Sequence, residues 1–155
     1  MAQVVHLALG SNLGDRCDNL RRALDLLSRT AGVTLQAVSE FIETEPVGPA
    51  GQGPYINAAA ALETTLTPHQ LLGELHNIEA ALGRDRSREP RWGARTCDLD
   101  ILLWGNLVLS SPDLTIPHPR LHERRFVLEP LFQIAPDAIH PLLRKSVRQL
   151  LDELP

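Results

Sequence analysis

Tyr55-Ile56-Asn57-Ala58-Ala59-Ala60-Ala61-Leu62-Glu63-Thr64 is the stretch on which the architecture turns. Its alanines favour helix. Pro54 before it and turn signals on both flanks favour a strand, and the reading taken here is a third, antiparallel strand. Upstream, Val4 to Leu9 is mostly apolar and reads as an interior strand. Gly10-Ser11-Asn12-Leu13-Gly14 then turns the chain. Asp15 is placed as the N-cap of a helix from Arg16 to about Arg29, with Cys17, Leu20, Leu24 and Leu27 on one face. Gly32 ends that helix, and Val33 to Thr44, rich in β-branched and aromatic residues, reads as a second strand.

Downstream, Thr67-Pro68-His69-Gln70 carries a strong helix start: Thr67 as N-cap, Pro68 in the first turn and Gln70 completing a capping box. Leu71, Leu75, Ile78 and Leu82 mark the buried stripe, and Gly83 ends the helix. From Thr96 the pattern alternates, with Cys97, Leu99, Ile101 and Leu103 on the buried side of a strand that ends at Trp104. Gly105-Asn106 reads as a hairpin turn from which Leu107 to Leu109 returns. Ile116 to Pro119 is extended, Leu121 to Phe132 is interrupted by Pro130, and Ser146 caps a last helix carrying Val147, Leu150, Leu151 and Leu154. The leading order is strand, helix, strand, strand, helix, strand. That order predicts an α+β fold, a ferredoxin-like sandwich with a mainly antiparallel sheet and helices packed on it, as a single domain over 1–155.

The 155 residues are 43% hydrophobic and 22% charged, an ordinary balance for a globular protein with its own core. A net charge of −4 gives no global basic field for nucleic acid. Cys17 and Cys97 form no metal-type pair and fit a reducing compartment as small apolar residues. No segment is apolar for long enough to span a membrane, and no leader precedes the first strand, so the expected location is the cytoplasm.

Chemistry concentrates around the fourth strand of that order. Asp98 and Asp100 lie two residues apart, so they project from the same strand face. Taken alone, Asp-x-Asp is more often a solvated face. Immediately upstream, however, stand Arg84, Arg86, Arg88, Arg91 and Arg95, in a chain with fourteen arginines and one lysine. Guanidinium forks suit phosphate, and paired carboxylates suit hard divalent cations completed by phosphate oxygens. Metal-assisted phosphoryl chemistry is the leading idea, without a Walker-type phosphate loop. Trp92 is either a pin for the arginine segment or a lid over a flat ligand. Tyr55 and Phe126 are candidate stacking residues, and Asn57, on the same strand face as Tyr55, can hydrogen-bond a heterocycle edge, with Thr44 beside it. Glu79 sits beside the helix stripe, either at the surface or facing the site.

Thr44-Glu45-Pro46-Val47-Gly48, Tyr55-Ile56-Asn57-Ala58-Ala59, Gly83-Arg84-Asp85-Arg86, Arg91-Trp92-Gly93-Ala94-Arg95-Thr96-Cys97-Asp98-Leu99-Asp100-Ile101 and Pro117-His118-Pro119-Arg120-Leu121-His122-Glu123-Arg124-Arg125-Phe126 occur in this order. Together with Leu9-Gly10-Ser11-Asn12-Leu13-Gly14, they resemble the 6-hydroxymethyl-7,8-dihydropterin pyrophosphokinase family from about residue 4 to residue 137. The resemblance implies transfer of pyrophosphate from ATP to the hydroxymethyl group of the dihydropterin, releasing AMP, in folate biosynthesis. It implies that Asp98 and Asp100 hold two Mg²⁺ ions and, with Arg84 and Arg95, form the catalytic set. Thr44, Val47, Tyr55, Asn57, Trp92 and Phe126 would hold the pterin. Glu79, Arg84, Arg86, Trp92, Arg95, Ile101, His118 and Arg124 would line the ATP side, with His118 binding rather than transferring a proton. Arg84 and Arg95 would lie in a loop that closes over the substrates. Pro119 stands where some relatives place an aromatic and is assigned no nucleotide contact, and Glu45 takes a position that is proline in others. The expected partners are the two small substrates, with no nucleic acid, membrane, obligate protein partner or fused aldolase or synthase.

Two other classes of function bear on the same residues. An RNA- or nucleotide-binding module without catalysis needs no paired carboxylates beside its arginines, and the chain lacks an aromatic RNA platform. A two-metal hydrolase needs neither stacking residues nor a means of excluding water.

Overall fold

The computed structural model describes residues 2–44, 54–83 and 97–155. Strand β1 (Gln3–Ser11) leads into α1 (Arg16–Ser28), where the Asp15 side chain accepts the Asp18 amide at 3.1 Å. Strands β2 (Val33–Val38), β3 (Ile42–Thr44) and β4 (Tyr55–Thr64) follow, then α2 (Pro68–Ala81) and β5 (Asp98–Trp104). The capping box of Thr67 and Gln70 is complete. All pairings are antiparallel in the order β2-β4-β1-β5, with β3 also on β4.

The alanine-rich stretch is therefore a strand, paired on both edges. Its alanines also meet packing on both sheet faces: Ala58, Ala60 and Leu62 join Leu7, Leu20, Leu27, Leu71 and Leu75 in one core, while Ala59 joins Leu102, Leu121, Leu128 and Leu131 in another. From Ala58 to Leu62 the strand is covered on both sides, so that stretch has no solvent face and no alternating polar residues to announce it. Tertiary pairing overrides the helical preference of alanine.

Four features differ from expectation. The segment Val33 to Thr44 forms two strands, because Ser39 breaks the ladder: its amide donates to the Ala59 carbonyl, and its hydroxyl accepts the Ala59 amide at 2.8 Å. After the turn at Gly105 (φ +54°), the chain does not return along β5. Instead β6 (Leu109–Ser110) pairs with β7 (Thr115–Ile116), and the outer edge of β5 is taken by the His118 amide, which donates to the Leu102 carbonyl at 2.9 Å. A 3₁₀ turn (Leu121–Glu123) precedes α3 (Arg125–Ile134), which runs through buried Pro130 rather than stopping there. Strands β8 (Ile139–His140) and β9 (Lys145–Ser146) lead to α4 (Val147–Asp152), capped by Ser146, so Leu154 packs from beyond the helix end. Among the described residues no helix is long and apolar enough to cross a membrane.

Helices α1 and α2 thus cover one face of the sheet, and α3 and α4 cover part of the other. The part that no described element covers holds the candidate residues.

Candidate active site

Strand register builds the site. Residues paired directly across strands share a sheet face. Gly10 pairs with Asn57 on one side and Asp98 on the other, and Ala8 pairs likewise with Ala59 and Asp100. Thr44 pairs with Tyr55, two residues before Asn57. One face therefore runs from Thr44 and Tyr55 through Asn57 and Gly10 to Asp98 and Asp100, with no side chain at its middle position. The Asn57 amide donates to the Thr44 hydroxyl at 2.5 Å. A Cβ at Gly10 would stand 3.2 Å from Asn57 Oδ1 and 3.3 Å from the Tyr55 ring. Glycine is needed there for close approach, whatever its backbone angles.

Phe126 enters from the first turn of α3 and packs at the border of the second core. The Arg124 guanidinium lies 5.6 Å from the centre of its ring. Arg124 also helps to set the charge state of His118. Burial, more than any other cause, pulls the His118 imidazole down to a pKa of about 4; Arg124 and Arg120 lower it further and Asp98 opposes them. His118 Nδ1 accepts the Arg120 amide at 3.1 Å, so near neutral pH the ring proton sits on Nε2, which is a donor. An imidazole held neutral with Nδ1 occupied is arranged to donate to an anion.

Asp100, Ile101 and His118 open onto a cleft of about 330 Å³, shared with Leu72, His76 and Leu114. Pro119 lines it too, although the sequence assigned it no contact. Leu72 and His76 went unread: they are one turn apart on α2, on a side of the helix next to its apolar stripe, and only the stripe was followed.

Glu79 lies deeper than either sequence reading placed it. It is 1% exposed, and its carboxylate accepts the Leu99 amide at 2.8 Å. Because β5 is the last strand of the sheet, its outward amides need partners from outside the sheet. Glu79 supplies one between the two aspartates. The structure thus brings together Thr44, Tyr55, Asn57, Asp98, Asp100, His118, Arg124 and Phe126 around a sheet face that is open among the described residues, while Ile101 lies on the opposite face and reaches the site only where it lines the cleft. Val47, Arg84, Arg86, Trp92 and Arg95 lie outside the described residues.

Asp98 and Asp100 are half-buried hard-oxygen donors on one face. Among the described residues, no cluster of three or more His, Cys, Asp or Glu side chains is placed to hold a metal. That donor set fits a cation such as Mg²⁺, which keeps most of its positions for water and substrate phosphate. It does not fit a caged structural metal.

Residues 6–136 match the model of the family described as 7,8-dihydro-6-hydroxymethylpterin-pyrophosphokinase. A 2-amino-4-hydroxy-6-hydroxymethyldihydropteridine pyrophosphokinase of Haemophilus influenzae is 45% identical over 95% of this chain and 92% of its own. The enzyme of the same name from Bacillus subtilis is 47% identical over 86% of this chain and 79% of its own. The structure of wild-type Plasmodium falciparum HPPK-DHPS with pteroate superposes with a TM-score of 0.75 at 14% identity, over 99% of this chain and 42% of that longer one. The sheet order, the register and this similarity over most of the length agree: the chain belongs to the 7,8-dihydro-6-hydroxymethylpterin-pyrophosphokinase family.

Proposed function

We infer that this site transfers pyrophosphate from ATP to the hydroxymethyl group of 6-hydroxymethyl-7,8-dihydropterin, giving the pterin diphosphate and AMP, a step of folate biosynthesis. The observation that carries the reading is the shared row of Asn57, Gly10 and Asp98. It sets a heterocycle-edge donor and a metal-type carboxylate on one face, with a glycine between them. The pterin stacks between Tyr55 and Phe126 and is held at its edge by Asn57 and Thr44. Val47 and Trp92 complete that side. ATP enters the cleft beside Ile101, with His118 Nε2–H and Arg124 toward its phosphates; Arg84, Arg86, Trp92 and Arg95 are assigned to ATP by the family resemblance alone. Glu79 serves the nucleotide side through Leu99.

Asp98 and Asp100 hold two Mg²⁺ ions. Bound Mg²⁺ supplies charge neutralisation and a lowered cost of ionising the attacking hydroxyl. The hydroxymethyl oxygen forms a bond to the β-phosphorus while the bond from that phosphorus to the α,β-bridging oxygen breaks. AMP leaves with the bridging oxygen, and the hydroxyl proton passes to water. Arg84 and Arg95 stabilise the charge that develops on the phosphates. His118, already a donor, is not the base. The strand order with two helical crossovers supports reading the fold as a ferredoxin-like sandwich. It acts as one domain, in the cytoplasm, on two small molecules and without nucleic acid, membrane or obligate protein partner.

Incubation with ATP labelled in its β- and γ-phosphates tests the reaction. AMP should form only when the dihydropterin is present, and the pterin product should carry both labels. A pterin monophosphate would mean γ-transfer, and AMP or ADP without pterin would mean hydrolysis; either refutes the reading.

The pterin side is tested separately. Asn57 is nearly buried and donates to Thr44, so Asn57→Ala removes an edge contact and also leaves a polar neighbour without it. Pterin affinity should fall on the order of tenfold, the effect of one unpaired edge hydrogen bond, with ATP affinity little changed. Calorimetry with each ligand distinguishes this from equal loss of both, which would misplace the pocket.

A further inference from the structure

Tyr55 stands past the end of β1, whose last paired residue, Ser11, faces Ile56. Its one strand partner is Thr44, itself the last residue of β3. The two residues at the heterocycle end of the site thus sit where the described ladder ends, with the Thr44 hydroxyl held by Asn57 and the Tyr55 ring beside Gly10. A further brace comes from α1. Arg16, the first residue of that helix, donates from Nη1 to the Pro54 carbonyl at 2.6 Å, and its Nη2 lies 3.4 Å from Glu43 Oε2. Pro54 precedes Tyr55 and Glu43 precedes Thr44, so one guanidinium grips the chain beside each member of the pair. We propose that Arg16 is a positioning residue for the heterocycle pocket: it fixes the Tyr55–Thr44 corner from the opposite side of the sheet without touching the substrate.

The chemistry suits the task. A planar fork reaches two acceptors at once, and arginine stays charged at any working pH. The helix end that carries it is fixed by the Asp15 cap. The two contacts are unequal. Glu43 is 58% exposed in its side chain, so that ion pair is largely screened by solvent. The short bond to the Pro54 carbonyl, made by a side chain only 29% exposed, carries the positioning. A stacking ring works only when held close to its productive placement, and slack at Pro54 passes directly into Tyr55.

This rests on the pterin reading above. The test therefore begins with the unaltered chain, whose failure to bind 6-hydroxymethyl-7,8-dihydropterin in the presence of Mg²⁺ and a non-hydrolysable ATP analogue would refute that reading before any variant is made. With binding established, the full chain is compared with Arg16→Met, Arg16→Lys and Glu43→Gln. Arg16→Met should weaken pterin binding and raise its KM on the order of tenfold, the low end of the range for losing one charge-assisted hydrogen bond. Its kcat at saturating pterin and its affinity for the ATP analogue should stay within about twofold, since neither depends on that bond. Arg16→Lys, with one donor able to reach Pro54, should recover part of the loss. Glu43→Gln should behave as the parent. Unchanged pterin affinity in Arg16→Met overturns the proposal. So does an equal weakening of both ligands with a lowered melting temperature, the sign of a merely structural arginine.

Discussion

Alanine at Asp98 or at Asp100 should lower turnover by about two to three orders of magnitude, the scale set by removing a preorganised electrostatic group from an active site. The expectation rests on where the two carboxylates stand. Both are half-buried on the sheet face that α3 leaves uncovered, whereas their neighbours Cys97, Leu99 and Ile101 hold β5 into the core from the other side. Removing either carboxylate therefore subtracts no apolar burial, and the fold should survive with a melting temperature near that of the parent. Nor does the loss reach the site through His118. Asp98 raises the His118 pKa, so its removal leaves an already neutral imidazole more firmly neutral. On the proposed reading, what is lost is an anchor for the cations. Asp98→Asn and Asp100→Asn, which keep shape and remove charge, should be nearly as inactive. Steady-state turnover across a Mg²⁺ titration, with thermal unfolding as the control for folding, is the measurement. Near-normal activity with normal Mg²⁺ dependence in either alanine variant would falsify the metal assignment.

Much of this site was legible because it is written in strand period. Once the stretch Tyr55 to Thr64 is a strand, Tyr55 and Asn57 share a face, and so do Asp98 and Asp100; the register then sets the two pairs on the same side of the sheet. Capping chemistry at Asp15, Thr67 and Ser146 was equally readable, being local. What could not be read depends on contacts between distant residues that leave no periodic trace. Which strand ends at the sheet edge decides that Leu99 and Leu102 need partners from outside. Those partners, Glu79 and the His118 amide, come from a helix and a loop. The Gly105-Asn106 turn was correctly placed, but a turn does not say which strand the returning chain will meet. Arg16 reaches Pro54 across thirty-eight residues, and nothing about an arginine at a helix start announces it.

Replacing Glu79 by leucine should lower turnover on the order of a hundredfold and raise the Mg²⁺ concentration needed for half-maximal rate, although Glu79 is buried beneath the strand. The reason is again the sheet edge. The Leu99 amide lies between the aspartates and points to the carboxylate of Glu79 at 2.8 Å. Leucine fills the space and leaves that amide buried without the carboxylate. A backbone group in that state costs about 1–3 kcal/mol, and the strand relieves the cost by shifting. A shift at Leu99 moves Asp98 and Asp100 together, and misplacement by a fraction of an ångström is enough to damage a reaction that depends on alignment. Glu79→Gln separates geometry from charge. Its Oε1 can still accept the Leu99 amide, so most of the activity and the parent Mg²⁺ dependence should return if placing the strand is what matters. A purely structural glutamate predicts a different pattern: Glu79→Leu would melt at a lower temperature, yet at a temperature where it remains folded its kcat and Mg²⁺ dependence would match the parent. That result would reduce Glu79 to a cap on an edge strand. A shifted Mg²⁺ dependence with rescue by glutamine establishes that the buried Glu79 acceptor aims the two half-buried aspartates.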